Sequence, residues 1–256
     1  MDASLAGRVD ALVQAWSSLG ELLGELSDDE WHLPTGCPGW DVADQVAHVI
    51  AIERWSLGDP PPDHVLPSDL PHVKGDLAQA MELPVDFRRG RPPARLREEL
   101  LEVTGRRLAD LRARDLSPEQ LVPAPFGGEV PYKAFLTIRV FDCYAHEQDV
   151  RRATGRPGNL AGPAAAIARR QIVTAWTRLS AGTPALAERG VRLELDGEAY
   201  ELAPSAHGDP ALLVRTSFSN ALALGCGRSD GDLGAVEAVG DPALFEAFAA
   251  RLSFTP

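Results

Sequence analysis

The hydrophobic pattern changes period once along the chain, and that change divides it. Up to about residue 154 the apolar residues recur at helical spacing. Leu5, Val9, Leu12, Trp16, Leu19 and Leu23 form the first stripe, and Val42, Val46, Val49 and Ile50 the second. Leu96, Leu100, Val103, Leu108 and Leu111 form a third, and a further helix is predicted over 132–154. After the Gly/Pro-rich stretch 155–163 comes one more helical segment, 164–179, and then the period falls to two. Val191–Leu195 and Glu198–Leu202 flank Asp196-Gly197, a two-residue hairpin signal. No all-α or all-β architecture accommodates both patterns. The spacing predicts an α+β chain, with a four-helix bundle over 1–156 and a small α/β domain over 157–256.

Several segments punctuate this pattern. Ser27-Asp28-Asp29-Glu30 reads as a capping box that starts a short helical turn around Trp31. Pro34-Thr35-Gly36-Cys37-Pro38-Gly39-Trp40 reads as a rigid loop before the second helix. Residues 58–92 carry seven prolines and no sustained period, so they form a long crossover or a functional wall, with a short helix near Leu77–Met81. Pro123–Pro131 is expected to be a loop. In the second domain, a helix is predicted over 164–179, strands over 212–216 and 236–239, and helices over 218–224 and 243–252.

Charge narrows the function. The net charge of −12 argues against nucleic acid and anionic membranes as partners, because both require a cationic footprint. No apolar run reaches the ~18–20 residues that span a bilayer, and the N-terminal residues lack the pattern of a secretory signal. Three widely spaced cysteines, Cys37, Cys143 and Cys226, do not suggest a disulfide framework. The expectation is a cytoplasmic protein, monomeric or homodimeric.

Asp142 and His146 stand four apart in the predicted fourth helix and project from one face. Such a pair can hold a metal, although on spacing alone it is more often an ordinary ion pair. His48 lies among Val46, Val49 and Ile50 on the second helix. It is either a core histidine satisfied by a carboxylate or a third ligand from a facing helix. Three protein ligands would leave positions open for water or substrate, as catalytic zinc requires. Asp149 can orient a ligand histidine or pair with Arg152 or Arg139. Glu147 reads as structural or solvent-facing, and Cys37 and Cys143 as packing residues. Trp16, Trp31, Trp40 and Trp55 read as core and helix-end anchors. His32, His64, His72 and His207 have no ligand spacing, and the run Arg88-Arg89-Gly90-Arg91 reads as solvated.

Two strings carry a resemblance. Pro34-Thr-Gly-Cys-Pro-Gly-Trp40-Asp-Val-Ala-Asp-Gln-Val-Ala-His48-Val is similar to the N-terminal signature of the mycothiol-dependent maleylpyruvate isomerase family. Arg139-Val-Phe-Asp142-Cys-Tyr-Ala-His146-Glu-Gln-Asp149 and the residues to Gly158 resemble its second signature. The resemblance implies a DinB-like helical domain holding a divalent metal, zinc or nickel, on His48, Asp142 and His146. The family's usual carboxylate is Glu, and Asp142 is one methylene shorter. The resemblance also implies mycothiol as thiol cofactor, a small electrophile such as maleylpyruvate as substrate, and cis–trans isomerisation or S-transfer as the reaction. Arg228, in the Gly227-Arg228 context, matches a family arginine that meets the substrate; it can equally pair with Asp230 or Asp232. The sequence assigns no cofactor-binding residues. Two lysines against 23 arginines suit the high-GC actinobacterial genomes in which mycothiol is made. Competing readings are a non-catalytic metal- or small-molecule-binding protein and a regulatory partner of another protein.

Overall fold

A computed structural model describes residues 2–205 and 208–255; His207 lies outside the described residues. The architecture is α+β, and the chain separates into two compact units, residues 1–167 and 168–256.

Four long helices build the first unit: α1 (Ala3–Gly24), α2 (Val42–Leu57), α4 (Pro93–Ala113) and α5 (Tyr132–Ala153). They close a ring of contacts in which α1 packs on α5, α5 on α2, α2 on α4 and α4 on α1. α1 starts at Asp2, whose carboxylate accepts from Ser4 N at 2.8 Å. Its apolar stripe, from Leu5 to Leu23, is buried. The capping box forms as expected and opens a short 3₁₀ turn at Asp28–His32, which buries Trp31 against α2. α2 begins at a second capping box, Asp41 with Asp44, and ends at Gly58, whose φ of +80° suits a residue without Cβ.

The proline-rich connection holds α3 (Gly75–Asp86), which is longer than the short helix expected near Leu77–Met81. It runs through Pro84 and packs on α2. The expected loop at Pro123–Pro131 is instead a small hairpin, with β1 (Leu121–Pro123) antiparallel to β2 (Glu129–Pro131). Strands this short show no alternation, and their prolines sit at the strand ends.

The division falls after residue 167, whereas the sequence suggests a boundary after 156. Residues 156–159 are tied to α5: Tyr144 Oη donates to Asn159 O at 2.9 Å and Gln148 Nε2 to Gly158 O at 3.1 Å. Asn159 Nδ2 in turn donates to the buried carboxylate of Glu147 at 2.7 Å.

The second unit takes in most of α6 (Pro163–Ala181) and the short α7 (Pro184–Arg189). Its four-stranded sheet has the order β4-β3-β5-β6: β3 (Val191–Leu195), β4 (Glu198–Ala203), β5 (Leu212–Thr216) and β6 (Glu237–Gly240). β3 is antiparallel to β4 and parallel to β5. Asp196 and Gly197 both take positive φ, the requirement of the two-residue turn that the sequence signalled. α8 (Phe218–Gly225) and α9 (Pro242–Ala249) complete the unit. In its core the Trp176 and Phe248 rings meet edge to face, 5.5 Å apart, and Trp176 Nε1 donates to Leu252 O at 3.0 Å. Among the described residues no helix is long and apolar enough to cross a membrane.

Candidate metal centre

α2 and α5 pack on each other in the first unit, and both bury polar residues. Nearly every residue from Asp44 to Glu53 and from Arg139 to Val150 is buried. These helices bring His48, Asp142 and His146 together, with one potential ligand atom from each lying within 4.8 Å of the others. His48 Nε2 lies 3.6 Å and His146 Nε2 3.5 Å from the same oxygen, Asp142 Oδ1.

Those spacings are too long for hydrogen bonds. Two ligands of one tetrahedral zinc, each bonded at about 2.0–2.1 Å, stand about 3.3–3.5 Å apart, so the separations fit a shared cation. Two imidazole nitrogens and one carboxylate oxygen also suit a borderline divalent ion. The imidazoles are almost fully buried. Asp142 keeps 27% of its side chain exposed and is the cluster's opening to solvent.

A chain of charges backs the carboxylate. Arg139 Nη1 donates to Asp142 Oδ2 at 2.6 Å, which leaves Oδ1 to face the histidines. Arg139 Nη2 and Nε donate to Glu53 Oε1 at 2.7 and 3.1 Å, and Glu53 Oε2 lies 3.4 Å from Arg107 Nε. All three of these side chains are buried. Burial opposes ionisation of Asp142, but Arg139, and then His48 and His146, hold its carboxyl well below the usual carboxylate range. Burial pushes the His48 imidazole below its ordinary value; Asp142 opposes that shift and His146 adds to it. Cys143 Sγ sits 3.3 Å from Arg139 Nη2, and burial pushes its thiol well up, so it is an inert packing residue.

The far nitrogens of the two histidines differ. His146 Nδ1 is hydrogen-bonded to Gln45 Oε1, while Asp149 Oδ2 is 3.6 Å away and Asp149 Oδ1 accepts from Arg152 at 2.5 Å. His48 Nδ1 is buried without a hydrogen-bond partner. Gln45 therefore occupies the place that the sequence offered to Asp149. Its signal was available, since Gln45 precedes His48 by three residues and Arg139 precedes Asp142 by three, so each shares a helix face with a candidate ligand.

Trp40 is not a core anchor. Its half-buried ring lies 5.1 Å from the His48 ring and 6.0 Å from that of His146. Trp55 is 40% exposed, while Trp16 and Trp31 are buried as expected. Trp40 Nε1 donates to Glu82 Oε2 of α3 at 2.7 Å. Glu82 also meets His72 Nε2 at 3.2 Å and Arg89 Nη1 at 2.6 Å. The basic run at 88–91 is thus not solvated. Arg88 is buried and donates to Glu99, Arg89 spans Asp44, Glu82 and Asp86, and Arg91 donates to Glu99. His64 pairs with Asp86 at 2.6 Å. Glu147 is structural and fully buried, held by Ser18 and Arg151.

Arg228 belongs to the second unit. Gly227, at φ +63°, turns the chain beyond α8, and the half-buried Arg228 donates from Nη1 to Cys226 O at 3.1 Å.

The chain is similar in fold to a crystal structure of the mycothiol-dependent maleylpyruvate isomerase, with a TM-score of 0.60 at 19% identity over 93% of this chain and 95% of that one. A mutant of that enzyme gives a TM-score of 0.58 at 18% identity, with the same coverage. Curated proteins give no match. The family described as the mycothiol maleylpyruvate isomerase N-terminal domain matches residues 12–151, which include α2, nearly all of α5 and all three clustered side chains. Because that match takes in more than half of its length, the chain belongs to the mycothiol maleylpyruvate isomerase N-terminal domain family.

Proposed function

We propose that the protein is a metal- and mycothiol-dependent enzyme that isomerises a small electrophile such as maleylpyruvate or joins it to the thiol. The observation that carries this reading is the pair of 3.5 and 3.6 Å separations between Asp142 Oδ1 and the two histidine Nε2 atoms, inside the family-matched region. His48, Asp142 and His146 would hold the cation, with zinc expected and nickel the alternative. When bound, the cation supplies positive charge that favours the thiolate over the thiol form of mycothiol, the nucleophile for either reaction.

The chain's own residues supply the setting. Arg139 donates to Asp142 Oδ2 and so favours Oδ1 as the atom offered to a cation. The Trp40 ring stands beside both imidazoles, 5.1 Å from His48 and 6.0 Å from His146. The exposed side of Asp142 is left for a small ligand. Arg228 is proposed to bind a substrate carboxylate, for which its two-pronged guanidinium is suited. The net charge of −12 supports small-molecule partners over nucleic acid or membrane, and a cytoplasmic location belongs to the same reading.

Metal analysis tests the site. Wild type should carry zinc or nickel, and an Asp142→Ala/His146→Ala variant should carry none; equal, negligible content in both refutes the metal role. Turnover of maleylpyruvate should require mycothiol. Unchanged thiol concentration marks an isomerase, and stoichiometric consumption marks a transferase. Turnover without any thiol ends the mycothiol assignment. Arg228→Ala should raise KM for an anionic substrate more than Arg228→Lys does.

A further inference from the structure

The hydrogen bonds behind His146 form a chain with only one consistent direction. Thr35 Oγ1 lies 2.9 Å from Trp40 O, 3.2 Å from Cys37 N and 2.7 Å from Gln45 Nε2. A backbone carbonyl can only accept and a backbone N–H can only donate. The single hydroxyl proton therefore goes to Trp40 O, and the hydroxyl oxygen accepts from Cys37 N and from Gln45. That obliges Gln45 to turn its NH₂ to Thr35 and its Oε1 to His146. His146 Nδ1 must then carry the proton, and Nε2 keeps its lone pair toward Asp142 and His48. Reversing the chain would leave two oxygens, Thr35 Oγ1 and Trp40 O, 2.9 Å apart with no proton between them. Gln45 is almost fully buried, so water does not substitute for either partner.

We propose that Gln45, aimed by Thr35, is a positioning residue that fixes His146 as the Nδ1-protonated tautomer and so readies Nε2 as a metal ligand. The purpose of Nε2 rests on the metal reading above, whereas the tautomer belongs to the chain alone. This gives a role to the Thr35-Gly-Cys-Pro-Gly-Trp40 loop: its backbone decides the protonation pattern of a histidine on another helix, through one hydroxyl and one amide. His48 has no such support, because its Nδ1 lacks a partner. It serves as an internal control.

Long-range ¹H–¹⁵N correlation spectra of the metal-free protein, recorded where the imidazoles are neutral, read the tautomer directly. Wild-type His146 should be Nδ1–H. Thr35→Val removes the hydroxyl and frees the amide to flip, so the His146 pattern should shift toward Nε2–H while His48 is unchanged. Thr35→Ser keeps the hydroxyl and should retain the wild-type pattern. Gln45→Met, which keeps the volume and loses the acceptor, is the second route should Thr35→Val not fold. Zinc or cobalt affinity should fall about 10–100-fold in Thr35→Val and Gln45→Met and hold in Thr35→Ser.

A wild-type His146 found as Nε2–H overturns the proposal. So does an unaltered tautomer and affinity in both Thr35→Val and Gln45→Met. A wild type that takes up neither metal refutes the metal reading instead, and leaves the tautomer spectra to decide the role of Gln45.

Discussion

The two units bury different things. Among the described residues, every buried polar or charged side chain except Ser180 lies in the helical unit, where Asp44, Gln45, His48, Glu53, Arg107 and Arg139 share the interior with apolar residues. The second unit closes on an apolar core built from Trp176, Leu193, Leu195, Phe218 and Phe248. Buried charge stabilises less than well-packed hydrophobic volume, because desolvation offsets the attraction. Stability alone does not account for an interior so rich in charge, and one chain of buried charges, Arg107, Glu53 and Arg139, leads to Asp142. The second unit carries no comparable constraint and follows the ordinary rules of packing.

Four measurements test this contrast, and the largest effect is expected at Glu53. Glu53→Leu removes one of the two carboxylates that pair with the buried guanidinium of Arg107, leaving it Asp110, and one of the two that pair with Arg139, leaving it Asp142. The substitution should cost about 3–5 kcal/mol in denaturant unfolding. A loss below about 1 kcal/mol would mean that these charges are effectively solvated and that the two interiors are alike. Next comes Glu82→Leu, which removes the acceptor of Trp40 Nε1 and a partner of Arg89. The expected loss is about 1–3 kcal/mol, with the Trp40 indole N–H resonance moving out of its hydrogen-bonded range.

Ser180→Ala should go the other way. Its buried Oγ has no partner, so removing it is expected to leave stability unchanged or raise it by up to about 1 kcal/mol. A clear loss would reveal polar organisation in the second unit as well.

The smallest effect is expected at the half-buried Glu30–Arg156 pair. Hydrogen bonds from Arg156 and from Ser27 lower the Glu30 pKa from 4.5 to about 2. A depressed carboxylate stabilises the folded state above its unfolded pKa, and that contribution is lost as pH falls through the folded value. The Tm difference between wild type and Glu30→Gln should therefore be constant at neutral pH and shrink between about 4.5 and 2. A difference independent of pH would exclude the Glu30–Arg156 pairing as its source.

What the sequence could convey follows the same division. Stripes such as Leu5 to Leu23 and the Asp196-Gly197 turn were readable because apolar period and turn chemistry are local properties. The two helices that carry His48, Asp142 and His146 were located, but their full burial was not, since Gln45, Glu53, Arg139 and Glu147 look like a solvent face. Arg88-Arg89-Gly90-Arg91 misled in the same way: only the folded chain brings Glu99, Glu82 and Asp44 around it. Trp40 resembled an anchor because its neighbours arrive from α3 and from two other helices. Three-residue strands and the six-residue α7 are too short to impose a period at all.

The proline-rich connection is fastened unevenly. A methyl group on Gly39, which sits at φ +82°, would stand 2.4 Å from the His72 ring, so that junction admits no side chain. Val65, 85% exposed, touches almost nothing. A substitution at Val65 is therefore cheap, whereas a single change at Gly39 would unseat His72 and, through Glu82, loosen Trp40. Change is thus cheap at one point of this connection and costly at the other.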